Sequence, residues 1–401
     1  MLNKVPDHVP AELVWSGRDI SEFPRRFAEP YVEAAREIHA GPPIVWAENA
    51  SFGKPGWLLT RHALLEEAYL DAERFPVRFN ADLSRMLGEE MPLVPFESDP
   101  PQHRHYRQLI QSFFLPRAVK AFDGVVRQYC EELVSAFADR GRCDFATEFA
   151  AILPSYLFLD LFGLPRDMLQ QFLDWEHAYM SGETYEEQIG AAKEIMAYLR
   201  QACAEKRRNP GEDLISAIVH GEVDGRRMTD AEIDGMCFLL YGGGLDTVAN
   251  SLGWHLRHLA MHPALQDELR QSPGLIPAAV DELLRAYPVS NTTRTVGYDM
   301  EFHGVRMRKG DFVALPIFFA ARDPEAYENP NEVDIHRKAR NLTFGTGVHN
   351  CLGIHLARRE LRFAYEAMLS RFRNIRLDPE REVVFDFKTT WGVKNLPLVW
   401  D

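Results

Sequence analysis

The stretch from Thr229 to Pro263 constrains the fold more than any other part of this 401-residue chain. Thr229 and Glu232 form a T-x-x-E capping box and His262-Pro263 supplies a stop, so the pattern predicts one helix from about Asp230 to Met261. Such a helix is about 48 Å long at 1.5 Å per residue. Its middle (Met236, Cys237, Phe238, Leu239, Leu240) is apolar nearly all round, so it is expected to cross the interior. The buried middle is also expected to contain Gly242-Gly243-Gly244. Each glycine costs roughly 1 kcal/mol against alanine inside a helix, and three together break a local rule. Breaks of that kind tend to mark function.

The rest of the chain agrees with a helical framework. Apolar residues recur at three- and four-residue spacing between Pro101 and Tyr287, as in Leu109, Phe113 and Phe114, then Val126, Tyr129, Leu133 and Phe137. Two short strands are expected at Pro43 to Ala47 and Gly56 to Thr60, and a second β-rich patch at Val296 to Leu315 with Lys309-Gly310-Asp311 as its turn. The expected fold class is mainly α with small peripheral β-sheets, in a single domain spanning residues 1–401, because no linker or repeat interrupts the chain. A hydrophobic content of 46% with 26% charged residues is that of a globular protein and excludes disorder. The net charge of −14 argues against a nucleic-acid binder. The five cysteines (Cys130, Cys143, Cys203, Cys237, Cys351) are odd in number, widely spaced and form no C-x-x-C, which argues against a disulfide framework or structural zinc. With no signal-peptide core and no run of eighteen apolar residues, the chain is expected to be soluble and cytoplasmic.

The strongest chemical signal is Phe344-Gly345-Thr346-Gly347-Val348-His349-Asn350-Cys351-Leu352-Gly353, a F-x-x-G-x-x-x-C-x-G pattern followed by an amphipathic helix from Ile354 to about Phe372. A cysteine just before a helix start lies at the positive end of the dipole, which favours thiolate. Glycines at 345, 347 and 353 let the backbone approach a flat ligand and turn N–H groups toward sulfur. In the long helix, the Thr247 hydroxyl can bond back to the Gly243 carbonyl and loosen the helix locally. No G-x-G-x-x-G is present and no strand leads into the glycines, which excludes a dinucleotide-binding reading.

The cysteine segment resembles the haem-binding loop of the cytochrome P-450 family, and the resemblance extends from about residue 40 to the C-terminus. It implies the family's triangular haem fold, haem b as cofactor, and Cys351 as the thiolate ligand of the iron, whose electron donation promotes O–O cleavage. Gly243-Gly244-Leu245-Asp246-Thr247 is similar to the oxygen-binding segment, with Gly243 and Gly244 leaving room for dioxygen and Asp246 with Thr247 as the acid–alcohol pair that delivers protons. Glu282-x-x-Arg285, with Arg337 as third member, matches the family's buried structural triad. His103 and Arg107, which follow Asp99-Pro100-Pro101, match positions that hold the haem propionates, as do Arg294 and His349. Thr343, Phe344, Gly347 and Gly353 are implied as further haem contacts.

Within the family the similarity is greatest to the bacterial camphor 5-monooxygenase group, in GGLDTVAN (Gly243 to Asn250), EFHGV (Glu301 to Val305), HLARRE (His355 to Glu360) and LPLVWD (Leu396 to Asp401). There a tyrosine eight residues before Asp-Pro-Pro donates to the substrate ketone; the corresponding position here is Met91, which has no donor. The expected substrate is therefore a related small apolar molecule, such as another terpenoid or a norisoprenoid ketone. Leu93, Phe96, Leu239, Ser290 and Thr390 are implied as further pocket residues. The resemblance also implies electrons from a small acidic 2Fe–2S ferredoxin and its flavin-dependent reductase. Arg104, Arg107, Arg358 and Arg359 are the expected docking patch. A peroxide-driven peroxygenase and a non-catalytic haem sensor are alternatives on the same scaffold. The Asp246–Thr247 pair weighs against the first, and the glycine-lined helix, which leaves an open distal face, against the second.

Overall fold

Two β-rich segments near the N-terminus, Ile44–Ser51 (β1) and Lys54–Leu59 (β2), pair antiparallel with Trp46 opposite Trp57. The computed structural model describes residues 5–51, 53–77, 84, 87–338, 340–388 and 390–401. Its backbone groups into two units built from separate stretches of chain. The first comprises Met1–Asn80, Glu282–Cys351 and Phe387–Trp391. Here Asn291–Thr295 (β3) and Phe312–Pro316 (β4) complete a sheet of order β1-β2-β4-β3, in which β2 and β4 run parallel. Gly56 permits the close approach of β2 to β4, since a Cβ there would lie 2.5 Å from the Phe312 carbonyl oxygen. Trp46, Trp57, Leu59, Leu65, Phe75, Val313 and Leu315 are buried together on this sheet. The strand at 43–47 is thus longer than its sequence pattern predicts, because an irregularity between Ala47 and Ser51 lets pairing resume. The second β-rich patch, expected at Val296 to Leu315, holds a hairpin of Met300–Phe302 with Val305–Met307 and most of β4, while β3 lies just before it; Gly310 turns the chain at a φ of +89°.

The second unit comprises Ala81–Asp281, Leu352–Asp386 and Gly392–Asp401 and is mainly helical. Four of its helices carry the argument below: Gln102–Ile110 (α1), Leu169–Ser181 (α2), Asp230–Met261 (α3) and Ile354–Arg371 (α4). The 32-residue α3 has the boundaries its capping box and proline stop predict, with the Thr229 hydroxyl accepting from Glu232 N–H and the Glu232 carboxylate accepting from Thr229 N–H. It packs against helices Ile152–Phe162 and Tyr185–Arg208 and against α4, which accounts for its apolar circumference. A Cβ at Gly242 or Gly243 would meet no protein atom within 4 Å, whereas Met236, Cys237 and Phe238 just before them are buried. Among the described residues no helix is long and apolar enough to cross a membrane.

Candidate functional site

In the first unit the segment from Leu342 to Cys351 folds back on itself. Gly345 N–H donates to the Leu342 carbonyl at 2.7 Å, and Cys351 N–H donates to the Phe344 carbonyl at 2.8 Å. The Asn350 side chain donates to the Phe344 and Gly345 carbonyls at 3.3 and 3.1 Å. Gly345 and Gly347 adopt left-handed backbone (φ +65° and +72°), and a Cβ on Gly347 would press to 2.9 Å from the Tyr69 carbonyl oxygen. Thr343 anchors the loop by donating its hydroxyl to the Leu284 carbonyl at 2.8 Å, and His349 closes a short turn with Gly347. Cys351 is partly exposed, while the other four cysteines are buried. Burial pushes the Cys130 and Cys143 thiols up, and the hydrogen bond from Cys203, then burial, raises Cys237 well above the ordinary thiol value, so these three remain protonated. Gly353 caps α4 two residues after Cys351.

Arg294, on β3, is buried with its guanidinium 5.2 Å over the Tyr69 ring, and its Nη1 donates to the Thr293 carbonyl at 2.7 Å. Ser290 and Thr390 flank a backbone hydrogen bond from Trp391 N–H to the Val289 carbonyl at 2.9 Å, which brings their segments side by side. The triad residues meet: Arg285 donates to both Glu282 oxygens at 2.9 and 2.8 Å, and Arg337 Nε donates to Glu282 Oε1 at 3.1 Å. Arg285 also donates to the carbonyls of Ala321, Pro330 and Glu332, which leaves a buried charge fully satisfied.

In the second unit Leu239, Gly243 and Thr247 fall at successive i,i+4 positions of α3, and the Thr247 hydroxyl donates to the Gly243 carbonyl at 3.3 Å. Asp246 Oδ1 accepts from Asn250 Nδ2 at 2.8 Å, and burial, then the Asp246 charge, pushes the Glu176 carboxyl of α2 up to about 8. Sequence reasoning missed Glu176, and no local signal could have found it, because the two carboxyls lie 70 positions apart along the chain. The Tyr69–Arg294 stack was missed for the same reason. On α1, His103 is buried beside Arg107; burial, then the Arg107 charge, lowers its pKa. Met91 is 1% exposed within a core that includes Val94, Ile110 and Met236; Leu93 is partly buried against that core, and Phe96 is 38% exposed.

The arginines of the expected docking patch differ in their neighbours. Arg104 is exposed. Arg358 pairs with Asp281 at 2.7 Å and Arg359 pairs with Asp123, so two of the four positive charges are offset by acidic neighbours.

The cytochrome P450 family's sequence model matches residues 167–272 and 274–397. The probable cytochrome P450 127A1 of Sinorhizobium fredii is 32% identical over an alignment covering 99% of this chain and 97% of the relative. The chain belongs to the cytochrome P-450 family. The steroid C26-monooxygenase of Mycobacterium tuberculosis is 32% identical over 83% of this chain and 93% of that protein. The crystal structure of the cytochrome P450 CYP101C1 superposes with a TM-score of 0.88 at 32% identity, covering 99% of this chain and 100% of that one. This cytochrome P-450 is a haem-thiolate monooxygenase with the expected mainly α fold, and its cofactor is haem b.

The residues present fit that group. The Cys351 loop turns on two left-handed glycines, at one of which, Gly347, a side chain would crowd, and α3 offers open space above Gly243. His103, whose lowered pKa favours the neutral ring with one N–H, lies beside the Arg107 cation, a donor set that suits carboxylates. When bound, the haem supplies oxidising chemistry at the iron; the protein supplies ligation, orientation and protons.

Proposed function

We propose that this cytochrome P-450 hydroxylates a small apolar terpenoid-like or norisoprenoid ketone with dioxygen, and that it does so in the cytoplasm. The observation that carries the assignment of the thiolate is that Cys351, on its glycine-turned loop, is the partly exposed cysteine, whereas the other four are buried. Cys351 ligates the iron. When haem is bound, Phe344, Gly347 and Gly353 would contact it, and Thr343 fixes the loop. Arg294, His349, His103 and Arg107 bind the propionates. Asp246 and Thr247 hold and move the proton, while Gly243 and Gly244 leave space for dioxygen. Glu282, Arg285 and Arg337 keep the segment before the cysteine loop in place.

The substrate reading rests on Met91, a soft apolar side chain where relatives of the camphor-hydroxylating group present a hydroxyl donor. Leu93, Phe96, Leu239, Ser290 and Thr390 are the remaining pocket residues of this proposal. Electrons come from a 2Fe–2S ferredoxin and its flavin reductase, which dock on the side of Arg104. The test is a titration of the haem-loaded protein with camphor, other small terpenoids and norisoprenoid ketones, following the low-to-high-spin shift. A shift with terpenoids that is weaker for camphor is expected. A shift only with bulky macrolides or steroids overturns the substrate class. Turnover with peroxide but none with ferredoxin replaces the monooxygenase reading by the peroxygenase one.

A further inference from the structure

Two sulfur atoms from different helices face each other in the interior of the second unit. Cys203 projects from the Tyr185–Arg208 helix and Cys237 from α3, and their Sγ atoms share a hydrogen bond at 3.7 Å. Ion pairs hold the two helices in register on either side of that contact. One turn before Cys203, Arg200 Nε donates to Asp234 Oδ2 at 2.7 Å; one turn after it, Arg207 donates to Asp230. Cys237 is fully enclosed and Cys203 is 4% exposed, so the pair meets solvent through Cys203. Cys203 also lies near the end of its helix, where the following residues are mostly exposed and local opening costs least. Disulfide sulfurs lie about 2.05 Å apart, so each sulfur needs to move by less than about 1 Å.

We propose that Cys203 and Cys237 form an oxidation site, at which hydrogen peroxide joins them in a reversible disulfide that fastens the Tyr185–Arg208 helix to α3. Peroxide is the two-electron reduction product of dioxygen, the co-substrate of a monooxygenase, and it is small enough to reach a nearly enclosed sulfur. The Cys203 sulfur attacks one peroxide oxygen; an S–O bond forms, the O–O bond breaks and one water leaves. The Cys237 sulfur then attacks the Cys203 sulfur; the S–S bond forms, the S–O bond breaks and a second water leaves. The two thiols together lose two electrons and the peroxide becomes two waters. A dithiol reverses the link by exchange. The link acts on the site through α3. Cys237 directly precedes Phe238, whose ring meets Tyr179 of α2 edge-on at 5.4 Å, and lies two residues before Leu239. The Tyr185–Arg208 helix in turn holds α2, since Glu194 accepts from the Trp175 indole at 2.7 Å and Tyr198 meets Phe172 edge-on at 5.5 Å. Joining the sulfurs ties both helices to the one that carries Leu239, so a ligand there is released more slowly. That consequence rests on the reading of Leu239 as a pocket residue; the link itself does not.

The link is mapped in the full-length haem-loaded protein without substrate. After brief exposure to hydrogen peroxide the protein is denatured in an alkylating reagent and digested, and the peptides are weighed. Peptides joined through Cys203 and Cys237, and separated again by dithiothreitol, are expected. Alkylation of both cysteines, a Cys203 carried to the sulfinic acid, or links only between chains overturn the pair. The fastening is tested by release of phenylimidazole, followed at the Soret band. Cross-linked protein is expected to release it several-fold more slowly, and to regain the original rate with dithiothreitol. Cys203→Ala and Cys237→Ala, exposed to the same peroxide, share any damage to the haem but cannot link, and are expected to keep the unexposed rate. An unchanged rate in cross-linked protein overturns the fastening, as does an equal slowing in both alanine variants. Failure of the terpenoid reading leaves both measurements standing, because neither uses that substrate.

Discussion

Glu360 lies on α4 only 2% exposed, with its Oε2 unmatched by any hydrogen bond among the described residues. Burial raises its carboxyl well above the usual glutamate value, so the native protein holds it as the neutral acid. The native state then keeps a proton that the unfolded chain releases. Stability therefore declines as pH rises above the ordinary glutamate value, by roughly 1 kcal/mol per pH unit until the native pKa is passed. Glu360→Gln keeps the shape and removes the proton, so thermal melts from pH 5 to pH 8 are expected to flatten. A variant with the parent's slope assigns the pH dependence to other groups. Met91 poses a different residue-scale question, because it is fully enclosed. Met91→Tyr supplies the missing donor but adds volume to a packed core, at about 1–3 kcal/mol. About tenfold tighter binding of a ketone than of the matching hydrocarbon, together with a lower Tm, is expected from spin-shift titrations and melts. Equal gains for both ligands would show that the new hydroxyl does not reach the carbonyl.

At the scale of elements, α3 has glycines with opposite tasks. A Cβ on Gly235 would overlap the Pro92 carbonyl, so this glycine lets the 91–96 segment lie against the helix. A Cβ on Gly242 would meet nothing within 4 Å. Gly235→Ala is expected to destabilise by about 1–3 kcal/mol through forced displacement of that segment. Gly242→Ala is expected to stabilise by up to about 1 kcal/mol through helix propensity alone. Chemical denaturation of the two variants checks the contrast, and a stabilised Gly235→Ala refutes the close-approach argument. The boundaries of α3 and α4 were readable in advance because caps and stops act through a few adjacent backbone groups. The close approach of Gly235 to Pro92 was not readable, since it depends on where the 91–96 segment comes to lie.

At the scale of the whole molecule, the first unit assembles three distant stretches of chain. Glu282 and Arg285 lie at the centre of one such convergence, where Arg285 alone gathers three carbonyls from residues 321–332. Glu282→Ala strands that buried cation and is expected to cost about 3–5 kcal/mol. The loss should appear in thermal melts and in the fraction of protein recovered with haem. A melt within error of the parent would remove the triad from the account of stability. The cysteine loop, the acid–alcohol pair and the E-x-x-R spacing were all legible along the chain, because each is a contiguous motif whose chemistry is set by neighbours within a turn or two. The offset of Arg358 by Asp281 and of Arg359 by Asp123, and the effect of Asp246 on the Glu176 carboxyl, were not. Family, cofactor and reaction class could thus be read from residue order, since helix periodicity, capping and the glycine–cysteine spacing are local. Which carboxyl carries a proton, which arginine meets an acidic neighbour and how deep Met91 lies were decided by packing, because burial and the nearest opposite charge exist only once distant helices have docked.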